Sequence, residues 1–165
     1  MKLKSILFGF VSGIGIMIIL PYILTVLNSS FNLPIYSSLT LRIIGFILFI
    51  LGVSVFIYCS ALFSKIGRGT PAPIEPPKKL VISGLYKFTR NPIYIGYFFI
   101  FLAEFFMFGH LLLLFYSVFM MLLIYIYIVY FEEPVLKKRF GNSYIEYTKK
   151  VPRWIFTFSK ENNKT

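Results

Sequence analysis

Four long apolar stretches, residues 6–27, 41–63, 92–108 and 111–131, interrupt an otherwise polar and basic chain. Their side chains are apolar all round rather than on one face, the pattern of helices surrounded by a non-aqueous medium. At a rise of 1.5 Å per residue the fourth stretch covers roughly 32 Å, enough for a hydrocarbon core of about 30 Å. Gly109 and His110 are all that separate the third from the fourth, which predicts a tight helical hairpin. The expected fold is therefore all-α: a polytopic transmembrane helical bundle of four spans, followed by C-terminal interfacial amphipathic helices. A single membrane domain, 1–165, divides into two scaffold spans (1–63), a Pro-rich loop (64–91), the hairpin with a closing segment (92–155) and a polar tail (156–165).

Composition supports this reading. Hydrophobic residues make up 58% of the chain and charged residues only 14%, with no aspartate, so too little polar surface exists to keep such a chain in water. The net charge of +11 raises nucleic acid as a partner, yet its distribution points elsewhere. Sixteen of the seventeen Lys and Arg residues fall on one side if both termini are cytoplasmic, with Arg42 alone near the other face. Basic residues flanking spans are retained in the cytoplasm, so the charge is first of all topogenic, and no nucleic-acid partner is expected. The first stretch follows Lys2 and Lys4 as a signal peptide would, but it exceeds 20 residues and precedes no small-residue cleavage site, so it reads as a retained span. Within it, Gly9 and Gly13 have the spacing of a close helix contact, and Pro21 predicts a kink. Loop 28–40 is uncharged and carries no chemistry. Cys59 is alone, so no disulfide forms within the chain, and no metal site is read.

Polar chemistry concentrates on the basic side. Gly67-Arg68-Gly69-Thr70-Pro71 opens a segment that continues through Pro73, Pro76 and Pro77, too rich in proline for a helix and expected to be extended. Thr89-Arg90-Asn91-Pro92 then reads as a helix start, with Asn91 capping and Pro92 in the first turn. Arg90 beside the free N–H groups of that turn suits an anionic ligand group. Tyr94, Gly96 and Tyr97 follow, with glycine offering close access to the backbone. Snorkelling arginine and interfacial tyrosine belts account for the same residues without any ligand. Glu132 and Glu133 end the fourth stretch; they are suited to ribose hydroxyls or an ammonium group, and equally to starting a helix at Pro134. Residues 135–140 predict a short helix ended by Gly141, with Ser143 capping another to about Lys150. Leu136, Phe140, Tyr144 and Tyr147 form one apolar stripe, as in a lid lying on the bilayer. Glu104 lies within a span near the outer turn, with His110 as its candidate partner.

Taken in order, 67–77, Gly84-Leu85-Tyr86, Arg90-Asn91-Pro92-Ile93-Tyr94-Ile95-Gly96, Glu132-Glu133-Pro134-Val135-Leu136, Phe140-Gly141, Tyr144, Tyr147 and Val151-Pro152-Arg153-Trp154 resemble the isoprenylcysteine carboxyl methyltransferase and phospholipid methyltransferase superfamily. The resemblance covers roughly residues 65 to 155. It implies an enzyme that holds S-adenosyl-L-methionine at the cytoplasmic face and takes a lipid or prenylated substrate from the bilayer. It places Arg90, Asn91, Tyr94, Gly96, Glu132, Glu133, Tyr144 and Tyr147 at the cofactor, and Arg90, Glu133 and Arg153 at the reaction centre. Many relatives have histidine where this chain has Asn91. A methyl on a sulfonium is already electrophilic, so alignment and exclusion of water carry most of the acceleration. A carboxylate acceptor needs no base, which favours carboxyl O-methylation over phospholipid N-methylation in a chain with no cytoplasmic histidine. A small transporter would place its polar groups near the midplane instead of at the membrane edge. A silent scaffold of the same fold would have no need of Arg90, Tyr94, Glu132 and Glu133.

Overall fold

The computed structural model describes Gly13, residues 15–68 and residues 77–154. Five helices order the described residues: α1 (Gly15–Ser30), α2 (Leu39–Gly67), α3 (Pro92–Phe108), α4 (Leu111–Phe140) and α5 (Asn142–Lys150). A 3-10 turn, Gly84–Lys87, precedes α3. Both α2 and α4 are long and apolar enough to cross a membrane, whereas α1 and α3 are shorter apolar helices. Gly9, Pro71, Pro73, Pro76 and the polar tail lie outside the described residues.

α3 packs against α2 on one side and α4 on the other, while α1 leans on α4. The α2 contact is a seam of small buried residues seven apart: Gly45, Gly52 and Cys59. Gly52 faces Gly96 of α3 so closely that a Cβ on Gly52 would stand 2.7 Å from the Gly96 carbonyl oxygen. Only two missing side chains permit that approach. Away from the seam, Ile43, Phe46, Ile47 and Ile50 stand exposed, an apolar surface whose natural solvent is lipid. At Gly13, in the first stretch, an added Cβ meets nothing within 4 Å among the described residues. A π-helical turn, Gly15–Ile19, immediately precedes Pro21.

The α3–α4 hairpin turns as the sequence predicts. Gly109 adopts φ 75°, the left-handed conformation that ends a helix abruptly. Loop 28–40, in which the sequence shows no chemistry, pins this turn. Tyr36 N–H donates to the Gly109 carbonyl at 2.8 Å, Leu111 N–H donates to Pro34 at 3.2 Å, and buried Asn28 accepts from Leu112 N–H at 3.0 Å. Glu104 and His110 do not form the expected pair. His110 extends against Ile35 in the turn, whereas Glu104 is buried in α3 on the side of Tyr116. The Glu104 Oε2 and His110 Nδ1 atoms each lack a hydrogen-bond partner.

The largest departure from expectation is α4. It does not stop at Phe131; it runs unbroken to Phe140, passing through Pro134 by way of a π-turn at Ile128–Glu132. Proline lacks an N–H and crowds the carbonyl four residues earlier, and a widened turn just upstream relieves both problems. Ser143 is likewise no cap: α5 begins at Asn142 behind Gly141, with no side-chain capping bond.

Candidate active site

At the N-terminal end of α3, four pieces of chain converge: the 77–91 connection, the final turns of α4, α5, and residues 151–154. The first three, with Phe63 of α2, enclose a cavity of about 140 Å³ whose wall includes Tyr86, Arg90, Asn91, Glu132, Leu136, Arg139, Phe140, Tyr144 and Tyr147. The 151–154 segment is laced across the start of α3. Arg90 N–H donates to the Pro152 carbonyl at 2.9 Å, and the Arg153 carbonyl accepts from Thr89 Oγ1 at 2.8 Å and Asn91 Nδ2 at 3.3 Å. Trp154 packs against Phe98 and Tyr125. Tyr147 Oη donates to the Tyr86 carbonyl at 2.7 Å, closing α5 onto the connection.

The charged residues form two groups. Arg153 grips Glu133 with two hydrogen bonds of 2.9 and 2.8 Å, and Arg90 Nη1 meets the same carboxylate at 3.0 Å. The hydrogen bond to Glu133 raises the pKa of Arg153. Separately, Tyr94 Oη donates to Glu132 Oε2 at 2.6 Å. Buried Arg90 Nε has no hydrogen-bond partner among the described residues, and the Tyr86 hydroxyl meets the Cys59 thiol. Arg90 and Tyr86 both line the cavity. Burial pushes the Tyr144 hydroxyl up to about 12, with Glu133 adding to the effect, and burial pushes Tyr86 and Tyr147 higher still. All three therefore stay neutral and can donate hydrogen bonds at physiological pH.

The structure thus brings together Arg90, Asn91, Tyr94, Glu132, Glu133, Tyr144, Tyr147 and Arg153. Gly96 stands apart: its open side is filled by Gly52, Val55 and Phe56 of α2, so it serves helix packing and does not reach the cavity. Asn91 occupies the N-cap position but makes no capping bond; its side-chain NH2 donates to the Arg153 carbonyl. The Leu136, Phe140, Tyr144 and Tyr147 stripe packs with Leu80 and Val151, and its four residues line the cavity. Tyr86 and Arg139 were not anticipated at the site. Arg139 lies seven residues after Glu132, two helical turns along the same face, a signal readable only once α4 is taken as continuous through Pro134.

A model of the phospholipid methyltransferase family matches residues 40–143, from α2 to the first turn of α5. The chain belongs to this family. It is thereby part of the superfamily of integral membrane methyltransferases that also contains the isoprenylcysteine carboxyl enzymes, and the exposed apolar faces of α2 and α4 fit an integral membrane protein with a lipid substrate. No curated protein and no solved structure matches the chain. Methyltransferases of this type use S-adenosylmethionine. At about 140 Å³ the cavity is smaller than the ~300–1,000 Å³ usual for a ligand of this size, but its lining has matching chemistry: a guanidinium edge for a carboxylate, a carboxylate for hydroxyls or an ammonium, and an apolar wall of Val81, Leu136 and Phe140 for a flat base.

Proposed function

We propose that this chain is a four-span enzyme, with both termini cytoplasmic, that transfers a methyl group from S-adenosylmethionine to the carboxylate of a lipid-linked or prenylated acceptor. The observation that carries the reading is the convergence of Arg90, Tyr86 and Glu132 on one cavity, with the buried Nε of Arg90 lacking a partner among the described residues. Leaving such an atom unsatisfied costs about 1–3 kcal/mol, a cost a polar ligand recovers. The one-sided distribution of basic residues supports the four-span topology.

In this reading Arg90, with Arg139 nearby, holds the carboxylate end of the cofactor. Glu132, steadied by Tyr94, accepts hydrogen bonds from its ribose hydroxyls or ammonium. Tyr144 and Tyr147 close the cavity against water. When bound, the cofactor supplies an electrophilic methyl, and the residues here orient and shield it. A carboxylate acceptor oxygen forms the new bond with no proton to remove. An amine acceptor must first lose a proton, and the carboxylates are engaged: Glu133 by two guanidinium groups and Glu132 by Tyr94. The alternative is phospholipid N-methylation, in which Glu132 or Glu133 would have to serve as the base.

Transfer of labelled methyl from S-adenosylmethionine to extracted lipids by the protein in nanodiscs tests the proposal. Label in the lipid phase that mild alkali releases as methanol marks an ester and supports carboxyl methylation. Alkali-stable label marks an N-methyl product and replaces it with the amine reading; no lipid label contradicts both.

A further inference from the structure

Glu132 and Glu133 are adjacent in a helix, so their side chains leave it about 100° apart. One looks into the cavity while the other does not: Glu132 and Arg90 are in the cavity wall, and Glu133 is absent from it. Both oxygens of Glu133 are consumed, Oε1 by Arg90 Nη1 and Arg153 Nε and Oε2 by Arg153 Nη2. Arg153 is itself fixed by Thr89 and Asn91 at its carbonyl, and its guanidinium lies 5.9 Å from the centre of the Tyr125 ring. Two guanidinium groups face the one Glu133 carboxylate, and the buried Nε of Arg90 has no hydrogen-bond partner among the described residues.

We infer that the two glutamates divide the work: Glu133 is a positioning residue that, with Arg153, clamps Arg90 so that its Nε edge meets an anionic group, and Glu132 alone of the pair touches the ligand. This rests on the cofactor reading above and departs from the expectation that both acids bind the cofactor. It assigns residues 151–154 a part in binding through Arg90, without direct contact.

Two probes separate the roles by calorimetry in nanodiscs: S-adenosylhomocysteine, which has the amino-acid carboxylate, and 5′-methylthioadenosine, which lacks it. Glu133→Gln is expected to weaken S-adenosylhomocysteine at least tenfold and methylthioadenosine less than twofold, and Arg90→Ala to show the same pattern. Glu132→Gln is expected to weaken S-adenosylhomocysteine whether Glu132 holds its ribose or its ammonium. Should Glu133→Gln fail to fold, Arg153→Gln carries the test, because its half of the clamp is the more exposed. Equal weakening of both probes by Glu133→Gln, or an affinity for S-adenosylhomocysteine unchanged within twofold in Arg153→Gln, overturns the inference. A parent protein that binds neither probe overturns the cofactor reading and this inference with it.

Discussion

Glu133 sits among two arginines at 18% side-chain exposure, and the balance of that cluster depends on it. Replacing it with alanine leaves two guanidinium groups facing each other with little water to screen them, at a cost of about 3–5 kcal/mol. Thermal unfolding of Glu133→Ala in detergent is expected to show a large loss of stability. Tyr94→Phe removes one hydrogen bond to a carboxylate, about 1.5–3 kcal/mol, so its loss should be smaller. At this scale the sequence was informative about residue types but not about partners. It marked Arg90, Glu132, Glu133 and Arg153, but a one-dimensional pattern does not tell which of two adjacent acids looks inward. Asn91 shows the same limit: its place before Pro92 suggests a cap, which it does not make, and its side-chain NH2 donates to a carbonyl sixty-two residues away.

Helix α3 begins and ends where its apolar run does, because Pro92 suits a first turn and Gly109 a left-handed stop. α4 was not legible in the same way. Proline ordinarily ends a helix, and only the π-turn at Ile128–Glu132 lets this one continue and carry Glu132, Leu136 and Arg139 to the cavity on one face. That turn also sets the register of both glutamates. Pro134→Ala restores an N–H and removes the reason for the turn, so it should raise the melting temperature while weakening S-adenosylhomocysteine binding; unchanged binding would show that the proline does not set the register. The seam between α2 and α3 offers a second contrast. Gly52→Ala forces backbone against backbone and is expected to cost about 1–3 kcal/mol, whereas Gly13→Ala, in open space, should be neutral or gain about 0.5–1 kcal/mol from helix propensity. Equal effects at both sites in thermal unfolding would contradict the seam.

For the whole molecule, the apolar runs and the bias of Lys and Arg were enough to read an all-helical membrane protein from the sequence, because both are properties of long segments and survive errors in any one residue. The tertiary closure of the site was less accessible. It depends on 151–154 returning to 89–91, a contact between distant positions that no local spacing encodes. In a Cys59→Ser background, a cysteine at Ser37 and another at Lys87 should react with an impermeant reagent from opposite sides of sealed vesicles; labelling from one side would contradict the four-span topology.

The most direct test of the account is calorimetric titration of the nanodisc-embedded protein with S-adenosylmethionine, repeated on well-folded Arg90→Ala and Glu132→Gln. Saturable binding by the parent that falls at least tenfold in both variants is the predicted result. Absence of binding by the parent, or full affinity in both variants, would contradict a cofactor site in the cavity at the start of α3.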